Sequence, residues 1–196
     1  EFEKLVKLSV GLKKEDASEK VFYMIAHARF LLVEPMFREY DNIKLELPQA
    51  KMKVNLKLKG EKLAKLVEAY TDILKMGQGD MGIACLCRIG LIYQSFSKAL
   101  FEAPMPKELN EEQREIYNAE LQNLAFPVEE KAIEAFEKTL QKTYDLGVYN
   151  EWATLAQENL NKYKPGTYPD LPPTRYVAKE YFYQPGIRVS ATDPKP

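Results

Sequence analysis

Residues that usually carry chemistry are scarce in this chain of 196 residues, which has one histidine, two cysteines and nine glycines. A zinc site needs several converging His, Cys or carboxylate ligands, and a Ser–His or Cys–His pair would have to use His27. The glycines of GQGD at 77–80 are not followed by the Lys and Ser or Thr of a phosphate-binding loop. We therefore expect no metal, no cofactor and no enzymatic activity.

Neither sign of charge dominates, because 28 Lys and Arg residues stand against 29 Asp and Glu residues, and the pI is about 6.1. The absence of a basic block argues against nucleic acid or an anionic membrane as the main partner. No apolar run approaches the roughly 18 residues of a membrane span. The carboxylate pairs Glu111–Glu112 and Glu129–Glu130 are typical of solvated helix starts, with paired acid catalysts as the alternative.

The two cysteines, Cys85 and Cys87, lie two positions apart in a helical pattern. Their side chains then point about 200° apart around the helix axis and cannot readily bridge each other. We expect two small buried hydrophobic residues.

The segment 80–100 is the most apolar helical stretch of the chain. A stripe at spacings of three and four is formed by Leu86, Ile89, Tyr93, Phe96 and Leu100. Small or apolar residues occupy other faces as well, so this helix needs neighbours on more than one side. The pattern predicts an interior helix with others packed around it.

Helical patterns also surround this segment on both sides. We expect residues 1–12 to form the end of a helix, with Leu5, Leu8 and Leu12 in one row, and a helix over 19–40 that Pro35 kinks. The alternation of Met52, Val54, Leu56 and Leu58 has the period of a strand, but Lys and Leu are good helix formers and a lone strand would have no partner. A helix over 49–76 is the prediction.

Capping residues delimit the helices of the second half. Asn110 and Gln113 resemble a capping box, Pro127 should interrupt the helix that follows, and the pattern resumes over 128–146. Gly147 is suited to a left-handed helix end, and Asn150 to capping a short helix over 151–163.

One pattern recurs along the chain: large residue, two spacers, large residue, small residue. It is seen in Phe22-x-x-Ile25-Ala26, Leu86-x-x-Ile89-Gly90 and Trp152-x-x-Leu155-Ala156. The small residues are 64 and 66 positions apart, and VEAY at 67–70 precedes IEAF at 133–136 by 66. This is the signature of a helical hairpin used repeatedly, in which a small residue lets the neighbouring backbone approach and stacking buries each apolar face. Trp152 is the expected residue of the last interface, where truncation to Ala should cost about 3–5 kcal/mol.

The large-x-x-large-small pattern, followed by Tyr93, resembles the first helix of a tetratricopeptide repeat, although the repeat here is nearly twice the usual length of about 34 residues. Four segments are similar to the C-terminal region of large tetratricopeptide-repeat proteins of myxobacteria and predatory bacteria. They are DMGIACLCRIGLIYQSFSKAL, ALFEAPMPKELNEEQREIY, AFPVEEKAIEAFEKTLQKTYDLGVYNEWATLAQENL and KPGTYPDLPP. Some of those proteins belong to the periplasmic part of gliding-motility machinery. The resemblance implies a non-catalytic scaffold for other proteins of an envelope complex, located in the periplasm, with self-association as a further expectation. The alternative is a peptide receptor or assembly chaperone.

The expected architecture is all-α, a tetratricopeptide-like solenoid of elongated helical hairpins over 1–164 with an irregular Pro/Tyr-rich tail over 165–196. Its concave groove should carry the binding residues, since exposed aromatic and arginine side chains become hot spots there. The candidates are Arg88, Tyr93, Tyr117, Tyr149 and Asn150. Each has a structural alternative. Arg88 pairs with a neighbouring helix, Tyr93 and Tyr117 lie in the core, and Asn150 is only a cap. The tail either covers its own chain or docks on another subunit.

Overall fold

The computed structural model describes residues 2–12 and 18–168, and the stretch 13–17 and the tail from 169 onward lie outside the described residues. Within the described part there are six helices and no strand. The helices are α1 Phe2–Leu8, α2 Glu19–Asp41, α3 Gln49–Leu74, α4 Gly79–Phe101, α5 Glu111–Leu146 and α6 Glu151–Tyr163. The predicted all-α class is confirmed for these residues.

Local signals set the ends of several helices as predicted. The Asn110 side chain accepts a hydrogen bond from the Gln113 backbone N–H at 2.8 Å, and the Gln113 side chain accepts one from the Asn110 N–H at 3.0 Å. Gly147 ends α5 with φ at +62°, a backbone conformation that glycine adopts without strain. The Asn150 side chain accepts from the first backbone N–H groups of α6.

Three local predictions differ from the structure. Pro127 does not interrupt α5, which runs unbroken through it for 36 residues. Packing explains this continuity, because Ala125 before the proline and Ala132 after it are both fully buried. α3 ends at Leu74 rather than Met76, and α1 ends at Leu8, before Leu12.

Residues 49–58 are helical, as predicted, so their alternation is not that of a strand. Met52 is buried, whereas Val54 is 65% exposed and Leu58 is 40% exposed. The alternating apolar residues therefore lie on different sides of α3. Pro35 lies inside α2, which continues past it to Asp41.

α4 is an interior helix, as its sequence predicts. It packs against α2, α3, α5 and α6, and buried residues occupy several of its faces, among them Ile83, Cys87 and Leu100. Ser97 is also buried, and its hydroxyl donates a hydrogen bond to the Gln94 carbonyl oxygen at 3.1 Å. Four of the other helices thus surround α4.

The order of packing follows the predicted hairpins. α2 packs on α3 and α4 packs on α5, while α2, α4 and α6 contact one another in sequence. Ala26, Gly90 and Ala156, the small residues of the recurring pattern, are all buried. The arrangement is therefore compatible with a helical repeat.

The close approach at Gly90 involves a side chain rather than a neighbouring backbone. A Cβ placed on Gly90 would lie 2.5 Å from Cε1 and 2.6 Å from Cδ1 of the Phe136 ring. Phe136 belongs to α5 and is itself fully buried. The small residue of the pattern thus accommodates an aromatic ring of the second helix in the same hairpin.

Cys85 and Cys87 are free and fully buried, as predicted. Burial raises the pKa of each thiol to about 12. Both therefore stay protonated at neutral pH, and neither is a thiolate nucleophile.

Candidate interaction groove

An open groove of about 630 Å³ lies between the C-terminal part of α2, the loop before α3, and α4. We call it the α2–α4 groove. Its lining combines apolar, basic and acidic side chains, with Lys59 contributed by α3. The lining residues are Phe37, Asp41, Ile43, Lys44, Leu45, Glu46, Lys59, Arg88, Leu91, Gln94, Ser95, Lys98, Ala99 and Glu102.

One face of α4 supplies a wall of this groove. Arg88, Leu91, Ser95, Lys98 and Glu102 follow one another at spacings of three and four, so they share one side of the helix. This face is the side of α4 that its neighbouring helices leave partly open. The groove therefore follows from where the buried faces of α4 lie.

Arg88 is held rigidly at the wall of the groove. Its Nε donates to Glu34 Oε1 at 2.8 Å and its Nη2 donates to Glu34 Oε2 at 2.5 Å, an ion pair between α4 and α2. The guanidinium carbon lies 4.6 Å from the ring centre of Phe37 and 4.7 Å from that of Trp152. Arg88 thus lines the groove and also pairs with a neighbouring helix, which was the structural alternative.

The Glu34 carboxylate is shared with a third helix. Tyr70 of α3 donates its hydroxyl proton to Glu34 Oε1 at 2.7 Å. Burial raises the pKa of Tyr70 above its ordinary value, and the hydrogen bond to Glu34 adds to this effect. Trp152 completes the cluster from α6, with its ring 5.5 Å from that of Phe30 in α2. This polar cluster therefore joins α2, α3, α4 and α6.

Lys59 lies beneath the other end of the groove with only 1% of its surface exposed. Its Nζ donates to the carbonyl oxygens of Tyr40 at 3.1 Å and Ile43 at 3.2 Å, and to Ser95 Oγ at 3.0 Å. Ser95 Oγ donates in turn to Asp41 Oδ1 at 2.7 Å. Removal from water lowers the pKa of Lys59 to about 8, against the opposing attraction of Asp41.

The remaining predicted binding residues lie outside the groove lining. Tyr93 packs between the two main apolar clusters, with Lys131 Nζ 5.8 Å from its ring centre. Tyr117 packs on the cluster at the end of α4, and its hydroxyl is 3.4 Å from the Pro104 carbonyl oxygen.

Tyr149 and Asn150 lie together in the loop between α5 and α6. The Tyr149 ring is 6.3 Å from that of Tyr144, and the Asn150 side chain caps α6. Of the five predicted residues, Arg88 alone lines the groove. The structure does not bring the five together, and their role in binding stays a prediction.

Sequence reasoning missed Lys59 because a lysine in a Lys-rich segment is usually solvated. A usable signal was present, since Met52, Lys59, Leu66 and Ile73 are spaced by seven residues and all four are buried in α3. Seven residues make nearly two helical turns, so these positions share one side of the helix. Glu34 carried a similar signal, since Ala26, Phe30 and Glu34 are spaced by four residues and all three are buried in α2.

The beginning of the predicted tail is described and contacts the helices. The Tyr168 hydroxyl donates to Glu137 Oε1 at 2.5 Å, and Lys164 Nζ forms an ion pair with the same carboxylate at 3.3 Å. Tyr168 also packs against the cluster shared by α4, α5 and α6. The rest of the tail, from residue 169 onward, lies outside the described residues. The two alternatives for the tail, self-covering and docking on another subunit, therefore stay predictions.

The part of the chain that the structure describes offers no candidate metal cluster and no candidate membrane span. Across residues 2–12 and 18–168, no group of three or more His, Cys, Asp or Glu side chains is arranged to hold a metal ion. None of the helices in that part of the chain has both the length and the apolar character needed to cross a membrane.

Comparisons with models of protein families, with curated proteins and with solved structures found no match. The fold itself defines an all-α protein with a repeat-like packing of helices around α4. Its candidate site is the α2–α4 groove.

Proposed function

We propose that this chain is a non-catalytic helical-repeat scaffold, of tetratricopeptide-like solenoid type, and that the α2–α4 groove binds a segment of a partner protein. The observation that carries the proposal is the groove itself, about 630 Å³ in volume and lined by apolar side chains together with both signs of charge. Such a surface suits a polypeptide, which brings backbone hydrogen-bonding groups and mixed side chains.

The side chains of the groove are also held in place before a partner arrives. Arg88 is fixed by Glu34 and by two aromatic rings, while its Nη1 group makes no hydrogen bond to the described residues. A preorganised guanidinium loses little conformational entropy on binding a carboxylate or a carbonyl oxygen. Arg88 would therefore contribute to affinity.

Exposed apolar side chains favour a folded partner over an isolated peptide. Phe101 and Phe126 form an edge-to-face pair with rings 5.5 Å apart, and both are more than 40% exposed. Ile116 and Leu124 on the same half of α5 are more than half exposed. Large exposed apolar residues are typical of interaction surfaces, so a scaffold for folded proteins is preferred to a peptide receptor or assembly chaperone.

A charge-reversal pair tests the groove. Lys44 and Lys98 are exposed and line it, whereas Lys65 is exposed on α3 and does not. Partners are first captured from native extracts and identified by mass spectrometry, and one is then purified for calorimetry. We expect Lys44→Glu combined with Lys98→Glu to weaken binding at least about tenfold (~1.4 kcal/mol), and Lys65→Glu to bind as the unmodified chain does.

Equal affinity of the double variant and the unmodified chain would overturn the assignment of the groove. Comparing the folded partner with short peptides taken from it distinguishes the scaffold from the peptide receptor. Binding only to the folded partner supports a scaffold, and equal binding of short peptides taken from that partner supports a receptor.

The proposal also places the scaffold in the periplasm, within an envelope assembly related to gliding motility. The support is the resemblance of 80–100 and the following segments to the tetratricopeptide-repeat proteins named above. Fractionation of cells that carry the tagged, full-length protein tests this location against cytoplasmic and periplasmic markers. Light scattering of the purified chain tests self-association.

A further inference from the structure

Lys59 supports one wall of the α2–α4 groove from beneath. This wall is the segment Ile43–Glu46, which we call the loop wall, and all four of its residues line the groove. The Lys59 ammonium donates to the Tyr40 carbonyl at the end of α2, to the Ile43 carbonyl in the loop wall, and to Ser95 on α4. One buried side chain thus ties the loop wall to the opposite wall of the groove.

The hydrogen bonds around this nitrogen, including the one from Ser95 to Asp41, can all form together only when Lys59 is charged. A lysine ammonium has three N–H donors and no acceptor, and Lys59 has three acceptors in reach, Tyr40 O, Ile43 O and Ser95 Oγ. A neutral amine has two N–H donors and one lone pair. With a neutral amine, the lone pair would face Ser95 Oγ unless the Ser95 hydroxyl turned its proton from Asp41 toward Lys59. In either case one hydrogen bond of the chain Lys59–Ser95–Asp41 is lost.

Deprotonation also removes an attraction between charge and dipole. The Tyr40 carbonyl belongs to the last turn of α2, where the helix dipole favours a positive charge. The ammonium further lies 4.3 Å from the centre of the Tyr40 ring, a cation–π contact that a neutral amine does not make. Each of these interactions holds the end of α2 and the loop wall in place.

We propose that protonation of Lys59 holds the loop wall in its binding position, and that loss of this proton releases the wall and weakens binding in the α2–α4 groove. The regulatory part rests on the proposed function of the groove, whereas the movement of the wall does not. The groove would then bind its partner below the pKa of Lys59 and lose affinity above it.

The transition falls close to neutral pH because of where Lys59 lies. Burial lowers its pKa to about 8, and the nearby Asp41 carboxylate limits the decrease. Tyr40 is the other titratable group in contact with it, and burial raises the pKa of Tyr40 far above this range. The further charged groups that face the groove from the loop wall and from α4 are Lys44, Glu46, Arg88, Lys98 and Glu102.

Nuclear magnetic resonance of the whole chain tests the movement without any partner. The ¹³Cε signal of Lys59 reports its own protonation, and the methyl signals of Ile43 and Leu45 report the loop wall. Between about pH 6.5 and about pH 9.5, we expect all three to titrate with one midpoint near 8. The methyl signals of Leu66, buried elsewhere on α3, should not follow this transition.

Matched variants separate Lys59 from the other groups. Lys59→Arg keeps a permanent charge and Lys59→Met keeps none, so in both the Ile43 and Leu45 methyl signals should lose the transition. Lys62→Met removes an exposed ion pair with Glu39 about one turn away and should leave it unchanged. Circular dichroism shows which variants fold. If Lys59→Met does not fold, Lys59→Arg alone provides the comparison.

Two results would overturn the inference. One is methyl signals that stay constant while Lys59 titrates, and the other is a Lys59 signal with no midpoint below about pH 9.5, as expected of a lysine with its ordinary pKa of 10.5. Calorimetry with the partner of the groove adds the functional readout, an expected loss of about tenfold in affinity from pH 7 to pH 9 that is absent in Lys59→Arg. Affinity that does not vary with pH contradicts the regulation but leaves the proposed function standing. A moving wall in a groove that binds no partner contradicts the proposed function alone.

Discussion

Replacing Gly90 by Ala should destabilise the protein, although alanine is the better helix former. A Cβ at this position would meet the Phe136 ring at 2.5 Å, whereas carbon atoms in favourable contact are about 3.5–4.0 Å apart. The ring would have to move by about 1 Å, and it is fully buried. Overpacking of this kind costs about 1–3 kcal/mol.

The intrinsic preference for the helix acts in the opposite direction. Alanine in a helix interior is favoured over glycine by about 0.8–1.0 kcal/mol, so the net loss at Gly90 is about 0–2 kcal/mol. We expect a value in the upper part of this range, because the Phe136 ring that must move is fully buried. For a chain of this size each kcal/mol corresponds to about 2–4 °C in melting temperature. Calorimetric melting should therefore show a decrease of a few degrees.

Gly60 provides the matched control, since it also lies inside a helix. A Cβ there would have Phe96 Cε2 as its nearest atom, at an ordinary contact distance of 3.8 Å. Gly60→Ala should therefore raise the free energy of unfolding by about 0.5–1 kcal/mol. The two substitutions are chemically identical and should have opposite signs.

A double-mutant cycle assigns the loss at Gly90 to Phe136. In a Phe136→Leu background, Gly90→Ala should destabilise less than in the unmodified chain, with a coupling energy of about 1 kcal/mol. The reasoning would be refuted if Gly90→Ala melted at or above the temperature of the unmodified chain, or if both glycine substitutions shifted it in the same direction.

Four further measurements test other contacts. Glu34→Gln leaves the Arg88 guanidinium without its carboxylate, and because the two side chains are only 11% and 16% exposed, we expect a loss of about 3 kcal/mol in urea denaturation; an unchanged midpoint contradicts this. Trp152→Ala removes the ring that packs against Arg88, and its melting should show a loss of about 3 kcal/mol, whereas an unaltered melting temperature would contradict the interface. Asn110→Ala removes the capping box of α5, and thermal melting should show a loss of about 1 kcal/mol in the free energy of unfolding. An unchanged melting temperature would show that the cap contributes little. Lys59 has a pKa of about 8 when folded against an ordinary 10.5, so between these values the unfolded chain binds the extra proton and stability should rise with pH; the same slope in Lys59→Met would assign it to another group.

Local sequence patterns did not indicate which residues share the site with Arg88. The sequence offered pairing with a neighbouring helix as one role for Arg88. It did not identify the partner, Glu34, which lies 54 residues away in the chain. No periodicity within either helix indicates which residue of the other lies opposite. The same limit explains why Arg88 was expected in a binding groove while Phe37, Asp41 and Ser95, which share that groove, were not.

Local interactions account for what the sequence by itself determined. Helix class, the capping box at Asn110, the left-handed end at Gly147 and the interior character of α4 all depend on residues within a few turns of one another. Such interactions depend on the identity and spacing of residues that are close in the sequence. For this reason they could be predicted before any tertiary contact was known.

Only the tertiary structure decided which faces meet. Packing along α4 keeps α5 helical through Pro127, the Phe136 ring occupies the space beside Gly90, and the enclosure of Lys59 changes its proton affinity. Each outcome depends on the distance and orientation of groups far apart in the chain. The period of a helix sets the direction of its own side chains, but the neighbouring helix determines what they contact.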